Sequence, residues 1–493
     1  MHIYNWWWGA KHLGCSSKAR PLSRPGGTSD SRQEEAGTRP RDAASVMASP
    51  TSSASVSRSV SSASLAERHA SSPAAAAAAA AALSGAEKEK ETLVGAAIDD
   101  ADVDALVRLA TSASGLVSDS LRRTAWPLLL GCSAREDLRK EPWADLPEHK
   151  DEHQVSLDVN RAFVHYPKKG MQHYTQSANY HGPLYLLTAS DSEKQLDRRK
   201  QELSRVIIHV LRRHPALCYF QGYHDIVQVF LLVLGPEDAP AAVARLSLLR
   251  IRDFMLSSLE PAIAQLELLR PILRAADPSL YHHLRGSQPT FALAGTMTMF
   301  AHNIENYKDI TRLFDFFLAG HAAMPIYFFA AVVLSKREKL LAEDDEDMLY
   351  VTLGRLPTPF DVEFLIARTV ELYERLPPAS LDGYEWWWIS SSSVLKSSAT
   401  SSRLRRLTLE DGERLFAKQE RDLQREQARK RALKEIQYLK LRLWYYRRYG
   451  AVSLAIVVGA YALWLGRNGD TNKPHLIFSS LGCFVWRYLG GST

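Results

Sequence analysis

The chain has 493 residues, of which 46% are hydrophobic and 24% charged; this length and usage allow a sizeable core and exclude a wholly disordered, collagen-like or polytopic membrane chain. The net charge of +6 is uneven: residues 401–448 hold 15 Lys and Arg against 7 Asp and Glu, which indicates an anionic membrane surface as partner and not nucleic acid. Four scattered cysteines without a C-x-x-C pair argue against a disulfide framework or a zinc ribbon and favour a reducing, cytosolic setting.

Residues 1–91 are predicted to be a disordered, low-complexity region. They are rich in Ser, Ala, Pro and Arg, contain an alanine tract at 74–82, and show no sustained hydrophobic period. The tryptophans at 6–8 form too short an apolar run for a secretory signal. A transit peptide is the less favoured alternative, suggested by the absence of acidic residues before Asp30.

Residues 92–385 are predicted to form one large all-α domain. Between 99 and 378, apolar residues recur at helical spacing, broken by Pro and Gly, with almost no strand-like alternation. Two apolar stretches, 226–234 and 322–335, are shorter than a membrane span and are predicted to be buried core helices. Further helices are predicted at about 242–258, 262–275, 290–304, 308–319, 324–342 and 359–375.

The chain is predicted to end in a membrane anchor. Residues 449–465 carry no charge, and at about 1.5 Å per residue they extend about 25 Å, the lower end of a bilayer span. Basic residues before this stretch predict that the amino-terminal side stays in the cytosol. A Ser-rich linker (386–402) and a solvated, basic charged helix (403–448) are predicted to precede it. The tail, 466–493, holds an amphipathic segment that is either lumenal or the return limb of a hairpin.

Common catalytic signatures are absent from the sequence. There is no GxxxxGK[ST], GxGxxG, HExxH or GxSxG, so we expect no intrinsic nucleotide hydrolysis and no cofactor in this chain. Pro147 and the density of charge around His149 and His153 predict a solvated helix start, and a metal site is not expected there because no third ligand lies at suitable spacing. His214, Cys218 and His224 are predicted to belong to the core.

Three short motifs carry the residues of interest. LRRTAWPLLLG holds Arg122 and Trp126, an arginine that braces and an indole that packs. VSLDVNR places Asp158 and Arg161 three residues apart, so that the carboxylate can hold the guanidinium on one helical face. YFQG, at 219–222, sets a carboxamide beside a glycine that permits close backbone approach. Taken singly, each motif is more often a surface pair or a turn.

Together, and in this order, the motifs resemble the TBC domain, the family of GTPase-activating proteins for Rab GTPases. The resemblance covers about 92–378 and rests on the patterns V/I-x-x-D-x-x-R and Y-x-Q-G. RLFD, which contains Arg312 and Asp315, looks like the family's R-L-W/Y-D block. The region 291–304 is also similar to a family block, although Gly295 stands where an aromatic residue is commoner.

The resemblance implies a mechanism in trans. A small GTPase hydrolyses GTP slowly, and an inserted guanidinium raises the rate by about 10³ to 10⁵. Arg161 is the expected arginine finger, and Gln221 is the expected glutamine finger that positions water. GTP and Mg²⁺ are expected on the partner GTPase, not on this chain. Asp158 is expected to orient Arg161, and Tyr219 and Gly222 are expected to shape the Gln221 loop. The other residues expected to support the site are Arg122, Trp126, Arg312 and Asp315.

The expected partners are a Rab in its GTP form and the lipid bilayer. The resemblance and the tail together imply a tail-anchored protein of the endoplasmic reticulum membrane, with Golgi membranes as a second location and an early-secretory Rab as substrate. Sixty residues separate Arg161 from Gln221, and 166–191 is predicted to be an added loop. Two alternatives stay open: a non-catalytic, membrane-anchored Rab adaptor and a membrane-shaping protein. The sequence leaves the cognate Rab and the oligomeric state open.

Overall fold

A computed structural model of the chain describes residues 73–132, 143–164 and 189–468. Within these ranges the chain is built from α-helices, short 3₁₀ turns and loops, with no β-strand. The predicted all-α fold is therefore confirmed. Three 3₁₀ turns cover Arg252–Phe254, Pro289–Ala292 and Pro378–Ser380.

The helices are numbered here in chain order. They are α1 (Pro73–Asp99), α2 (Val103–Thr111), α3 (Asp119–Leu130), α4 (Glu152–Val159), α5 (Ala189–Arg213), α6 (Tyr223–Leu234), α7 (Ala239–Leu249), α8 (Glu260–Leu266), α9 (Leu269–Ala276), α10 (Pro278–His283), α11 (Leu293–Met297), α12 (Tyr307–Ala319), α13 (Met324–Ser335), α14 (Arg337–Leu341), α15 (Glu346–Gly354), α16 (Val362–Arg375), α17 (Glu385–Trp388), α18 (Val394–Ser397), α19 (Ser401–Leu404) and α20 (Leu409–Asn468).

The core is centred on helices that are apolar on every side. The predicted core stretches lie in α6 and α13, whose side chains are almost all buried, so that prediction is confirmed. The fully buried Trp126 of α3 packs against Phe230 and Phe314, with ring centroids 5.3 and 5.9 Å apart. These contacts hold α3, α6 and α12 around one apolar centre.

Several predicted helices are divided. The predicted helix at 262–275 is α8 followed by α9, and 242–258 is α7 followed by a 3₁₀ turn. The predicted helix at 290–304 contains only a 3₁₀ turn and α11. Met299 and Phe300 adopt φ angles of 50° and 63°, which a right-handed helix does not accommodate. Buried packing fixes these bends, and hydrophobic spacing does not reveal them.

The amino-terminal boundary differs from the prediction. Helix α1 begins at Pro73, inside the region 1–91 that was predicted to be disordered. Alanine is the strongest helix former, so the tract at 74–82 favours a helix. Val94 and Ala97, near the end of α1, are buried, and α1 packs against α2 and α3. Residues 1–72 lie outside the described part of the chain.

The Ser-rich segment 386–402 was wrongly predicted to be a linker. Ile389, Val394, Leu395 and several of its serines are buried against the helical domain, although Trp387 and Trp388 are exposed. Ser393 Oγ donates to Asp253 Oδ2 (2.5 Å), and Ser401 Oγ donates to the Ala319 carbonyl (2.9 Å). Small hydroxyl side chains satisfy buried polar groups in little space, a use that composition alone does not reveal.

One helix, α20, joins the predicted charged helix to the predicted span. Residues 413–449 contain neither Gly nor Pro, so nothing in the sequence interrupts its hydrogen bonds. The first part of α20 packs on α7 and buries Phe416, Gln419 and Leu423, so the predicted spacer is not solvated throughout. From about residue 431 onward its side chains are mostly exposed. By length and composition, α20 is the candidate membrane-crossing helix among the described residues.

Candidate functional site

Arg161 follows the carboxyl end of α4 and faces solvent. Asp158 lies on the last turn of that helix, with its side chain fully buried, whereas the Arg161 side chain is 64% exposed. Asp158 Oδ1 accepts a hydrogen bond from Arg161 Nη2 at 2.5 Å, so the ion pair predicted from the spacing is present. A buried carboxylate therefore holds one edge of the guanidinium while the rest of the group stays accessible.

Tyr219 connects Asp158 to the loop that carries Gln221. The Tyr219 hydroxyl donates to Asp158 Oδ2 (2.9 Å) and lies 3.2 Å from His224 Nδ1. Burial, reinforced by the Asp158 charge and hydrogen bond, raises the pKa of the Tyr219 hydroxyl. The hydroxyl consequently stays protonated and keeps donating to Asp158 over the physiological pH range. Gln154 Nε2 also donates to Asp158, at 3.1 Å.

Gln221 is exposed two residues beyond Tyr219, and the backbone after it requires glycine. Gly222 has a φ of +99°, and a Cβ at this position would lie 2.6 Å from Thr298 Cγ2. Both the left-handed backbone and the close approach exclude a larger residue without strain. This turn leads directly into α6, which begins at Tyr223. The loop is therefore fixed by its buried flanks while the Gln221 side chain reaches solvent.

His224 belongs to this cluster, although sequence reasoning assigned it to the core. It is buried, and its Nε2 lies 3.3 Å from Asp225 Oδ1. Burial lowers the pKa of His224, even though Asp158 and Asp225 act in the opposite direction. Asp225 Oδ2 also accepts from His302 Nδ1 (3.0 Å), and this hydrogen bond raises the pKa of His302. The signal in the sequence was the ionisable pair His224–Asp225, which begins two residues after Gly222.

Arg122, Trp126 and Asp315 form a separate, buried cluster. Asp315 is fully buried on α12 and accepts from Arg122 Nε (3.0 Å) and Nη2 (3.0 Å). It also accepts from Trp126 Nε1 (2.8 Å) and from the Leu116 N–H (3.0 Å). The Asp315 charge and hydrogen bonds raise the pKa of the Arg122 guanidinium, although its burial opposes them. These bonds lock α3 to α12.

Arg312 braces the same scaffold from another side. Its Nε and Nη2 donate to the two Glu363 oxygens of α16 at 2.6 and 3.0 Å. Its Nη1 donates to the Ala110 carbonyl near the end of α2, at 3.0 Å. Of the predicted site residues, the structure thus brings Asp158, Arg161, Tyr219, Gln221 and Gly222 together and places Arg312 with the scaffold.

Two other predictions concern ligands and an insertion. Within the described ranges, no group of three or more His, Cys, Asp and Glu side chains could hold a metal ion. His149 Nε2 instead lies 3.0 Å from the Leu217 carbonyl oxygen. The predicted added loop, 166–191, falls almost wholly outside the described residues.

The site and fold define a helical domain that presents an arginine and a glutamine from one buried network. Residues 185–341 match the family described as the Rab-GTPase-TBC domain, a range that includes Gln221 and begins after Arg161. The chain is 30% identical to GTPase-activating protein gyp10 of Schizosaccharomyces pombe over 301 residues, 60% of this chain and 74% of that protein. The chain belongs to the TBC domain family.

The chain is also similar to other curated proteins and to a solved structure. The chain is 35% identical to TBC1 domain family member 20 of Homo sapiens over 286 residues, 57% of this chain. The match spans just under two thirds, 65% to 66%, of the length of this protein and of its bovine and mouse counterparts. The crystal structure of the Ypt/Rab-GAP domain of Gyp1p superposes with a TM-score of 0.38 at 17% identity, covering 55% of this chain and 93% of that one.

Proposed function

We propose that this chain accelerates GTP hydrolysis by a Rab GTPase, with Arg161 and Gln221 as fingers inserted in trans. The observation that carries the proposal is the Asp158–Tyr219 hydrogen bond (2.9 Å), which joins the segment leading to Arg161 to the segment leading to Gln221. Both finger side chains are exposed, while the groups that hold them are buried. GTP and Mg²⁺ belong to the partner GTPase.

The chemistry suits the two side chains. Negative charge develops on the phosphoryl oxygens and the leaving group during hydrolysis, and the Arg161 guanidinium offers several donors in a planar fork to that charge. The Gln221 carboxamide can accept a hydrogen bond from the attacking water and donate one to a phosphoryl oxygen. An arginine finger is worth about 10³ to 10⁵ in rate, or about 4 to 7 kcal/mol of barrier.

Single-turnover hydrolysis by a panel of purified Rabs, including early-secretory members, tests the proposal. The Arg161→Ala variant should lose most of the stimulation, and Gln221→Ala should lose a large part. Arg368→Ala is a matched control, because Arg368 is 50% exposed and pairs with a carboxylate three residues away, as Arg161 does. Unchanged rates in both finger variants would reject the two-finger mechanism.

The same experiment addresses the adaptor alternative. An adaptor binds the GTP-loaded Rab without accelerating hydrolysis, so wild-type chain would co-purify with the Rab and leave its hydrolysis rate unchanged. A catalytic activator instead shortens the lifetime of the GTP-bound form. Rab binding without stimulation across the panel would therefore replace the catalytic proposal by the adaptor.

We further propose that α20 anchors the domain in the endoplasmic reticulum membrane, with the domain in the cytosol and Golgi membranes as a second location. The apolar part of α20 is exposed, and basic side chains precede it on the domain side. The full chain should resist alkaline carbonate extraction, and a chain that ends at residue 448 should be released. A glycosylation tag after residue 490 should be modified if the tail spans once, and a hairpin would leave it unmodified.

A further inference from the structure

Three consecutive residues before α4 contact three consecutive residues before Gln221. The two segments, 149–151 and 217–219, lie 68 residues apart in the sequence. The hydrogen bonds run from His149 Nε2 to the Leu217 carbonyl (3.0 Å), from Lys150 Nζ to Cys218 Sγ (3.1 Å), and from the Tyr219 N–H to Asp151 Oδ2 (2.9 Å). We refer to the side chains of His149, Lys150 and Asp151 as the clamp.

Asp151 gives its carboxylate to the loop and not to its own helix. It occupies the N-cap position of α4, yet its side chain makes no capping hydrogen bond. Asp345 and Asp361 occupy the same position in α15 and α16, and each accepts an N–H of its own helix, from Met348 and Phe364. An aspartate at a helix start ordinarily caps that helix. Asp151 instead accepts the Tyr219 N–H, a bond between segments 68 residues apart, which indicates that it holds the loop before Gln221.

The clamp is itself fixed from two sides. With Nε2 donating to Leu217, His149 Nδ1 is free to accept the Asp151 N–H at 3.2 Å, which matches a neutral imidazole with both nitrogens bonded. The His149 N–H donates to Glu152 Oε1 (2.7 Å). Both Glu152 oxygens accept from Arg212 of α5, at 2.7 and 2.8 Å. The clamp is therefore attached to a long, well-packed helix.

Tyr219 is consequently held at two points by the two ends of α4. Asp151 accepts its backbone N–H at the start of the helix, and Asp158 accepts its hydroxyl at the end, 2.9 Å away in each case. The two carboxylates are seven residues apart, close to two helical turns, so they project from the same side. Arg161 lies just beyond the carboxyl end of α4, and Gln221 lies two residues after Tyr219.

We infer that Asp151, assisted by His149 and Lys150, is a positioning residue that fixes Gln221 relative to Arg161. This inference rests on the proposed function for its kinetic consequence. Asp151 acts through Tyr219, whose N–H it accepts two residues before Gln221, so its loss should displace Gln221 without removing either finger side chain. Small displacements of a group that orients reactants cost up to about a hundredfold in rate.

The kinetic test uses the full-length chain in detergent micelles. Asp151→Ala should lower kcat for stimulated hydrolysis by about ten- to a hundredfold and change KM for the GTPase by less than about twofold. In a Gln221→Ala background the same substitution should have an effect below about twofold, because the finger it positions is absent. Asp151→Asn keeps a carbonyl oxygen for the Tyr219 N–H and should recover most of the activity.

Hydrogen exchange supplies a readout that does not depend on activity. In Asp151→Ala, amides of 217–222 should exchange faster while those of α6 remain protected. Asp345→Ala is the matched control: it removes an N-cap aspartate that bonds the Met348 N–H at 2.8 Å, and it should leave exchange at 217–222 unchanged.

Two results would overturn the inference. One is an equal rate loss from Asp151→Ala with and without Gln221, which is the signature of a purely structural effect. The other is unchanged exchange at 217–222 in Asp151→Ala. If wild-type chain stimulates no Rab, the proposed function fails, and the exchange result still decides whether the clamp holds the loop.

Discussion

Gln419 makes a buried contact between α20 and the rest of the domain, and we predict that Gln419→Leu destabilises the fold. Gln419 is 3% exposed and bonds two buried charged residues, Arg252 and Asp253, which are 0% and 1% exposed. Its Oε1 accepts from Arg252 Nε at 3.3 Å, and its Nε2 donates to Asp253 Oδ1 at 2.9 Å. Leucine has a similar size and can make neither bond.

The expected loss of stability depends on the hydrogen bonds that Asp253 and Arg252 keep in the variant. Asp253 keeps hydrogen bonds from Gln265 and Ser393, and Arg252 keeps its bond to the Leu248 carbonyl. A hydrogen bond to a charged group contributes about 1.5 to 3 kcal/mol. Burial of the leucine side chain offsets part of two such losses. We therefore expect the free energy of unfolding to fall by about 2 to 4 kcal/mol, a large share of the 5 to 15 kcal/mol typical of a domain.

Equilibrium urea unfolding of a chain that ends at residue 448, followed by circular dichroism, measures this change. Gln424→Leu is the matched control, because Gln424 lies on the exposed side of the same helix and makes an exposed hydrogen bond to Glu420. Its unfolding free energy should stay within about 0.5 kcal/mol of wild type. If Gln419→Leu behaves like this control, α20 is not part of the folded domain and the reasoning is refuted.

Three further predictions concern the site. Arg161→Lys keeps the charge but loses the planar fork, so stimulated hydrolysis should fall by about a hundredfold or more in the single-turnover assay. Gly222→Ala places a Cβ 2.6 Å from Thr298 Cγ2 at a φ of +99°; thermal melting should show a loss of about 1 to 3 kcal/mol, and the displaced loop should lower activity. The raised pKa of His302 means that its pair with Asp225 stabilises the fold fully below about pH 6 and loses this contribution as pH rises through the raised value. Near pH 5.5 the free energy of unfolding in urea should therefore be higher for wild type than for His302→Gln, by less than about 1 kcal/mol. Near pH 9 the two free energies should coincide.

Helix α20 and the Gln221 loop share neighbours in this fold. His214 follows the end of α5, shortly before the Gln221 loop, and its Nδ1 lies 2.7 Å from Glu413 Oε1 of α20. The hydrogen bond lowers the pKa of Glu413, with the His214 charge adding to the effect. The Cys218 N–H donates to the Met255 carbonyl at 2.8 Å, and Ser257, two residues further on, bonds Glu420 of α20. The first turns of α20 thus contact the residues that flank the Gln221 loop.

Local spacing was sufficient for the features that depend on neighbours in the sequence. An offset of three residues from Asp158 to Arg161 places carboxylate and guanidinium side by side near a helix end, whatever surrounds them. Continuous apolar stretches that are too short for a bilayer become core helices, as α6 and α13 do. The exposure of Gln221 beside a glycine likewise follows from a tight turn before α6.

The features that sequence reasoning missed depend on partners that are distant along the chain. The serines of 386–402 look like a linker until Arg252 and Asp253, about 140 residues earlier, are placed beneath them. Asp151 looks like an ordinary N-cap until the fold brings Tyr219, 68 residues later, to its carboxylate. Hydrogen bonds of this kind produce no periodic pattern in the sequence, because each involves a single polar residue and a single buried group.

The amino-acid sequence by itself determined the helical class, the family, the two finger candidates and the apolar end of the chain, since each is written in local composition or spacing. Only the tertiary structure decided that the Ser-rich segment and the start of α20 belong to the domain, and that Arg122, Trp126, Arg312 and Asp315 brace the scaffold through bonds among α2, α3, α12 and α16. It also decided how Arg161 and Gln221 are tied together. An unpaired buried charge or N–H is costly, so the stable fold is one in which distant polar groups find each other. Those pairings depend on the whole fold and cannot be read from neighbouring residues.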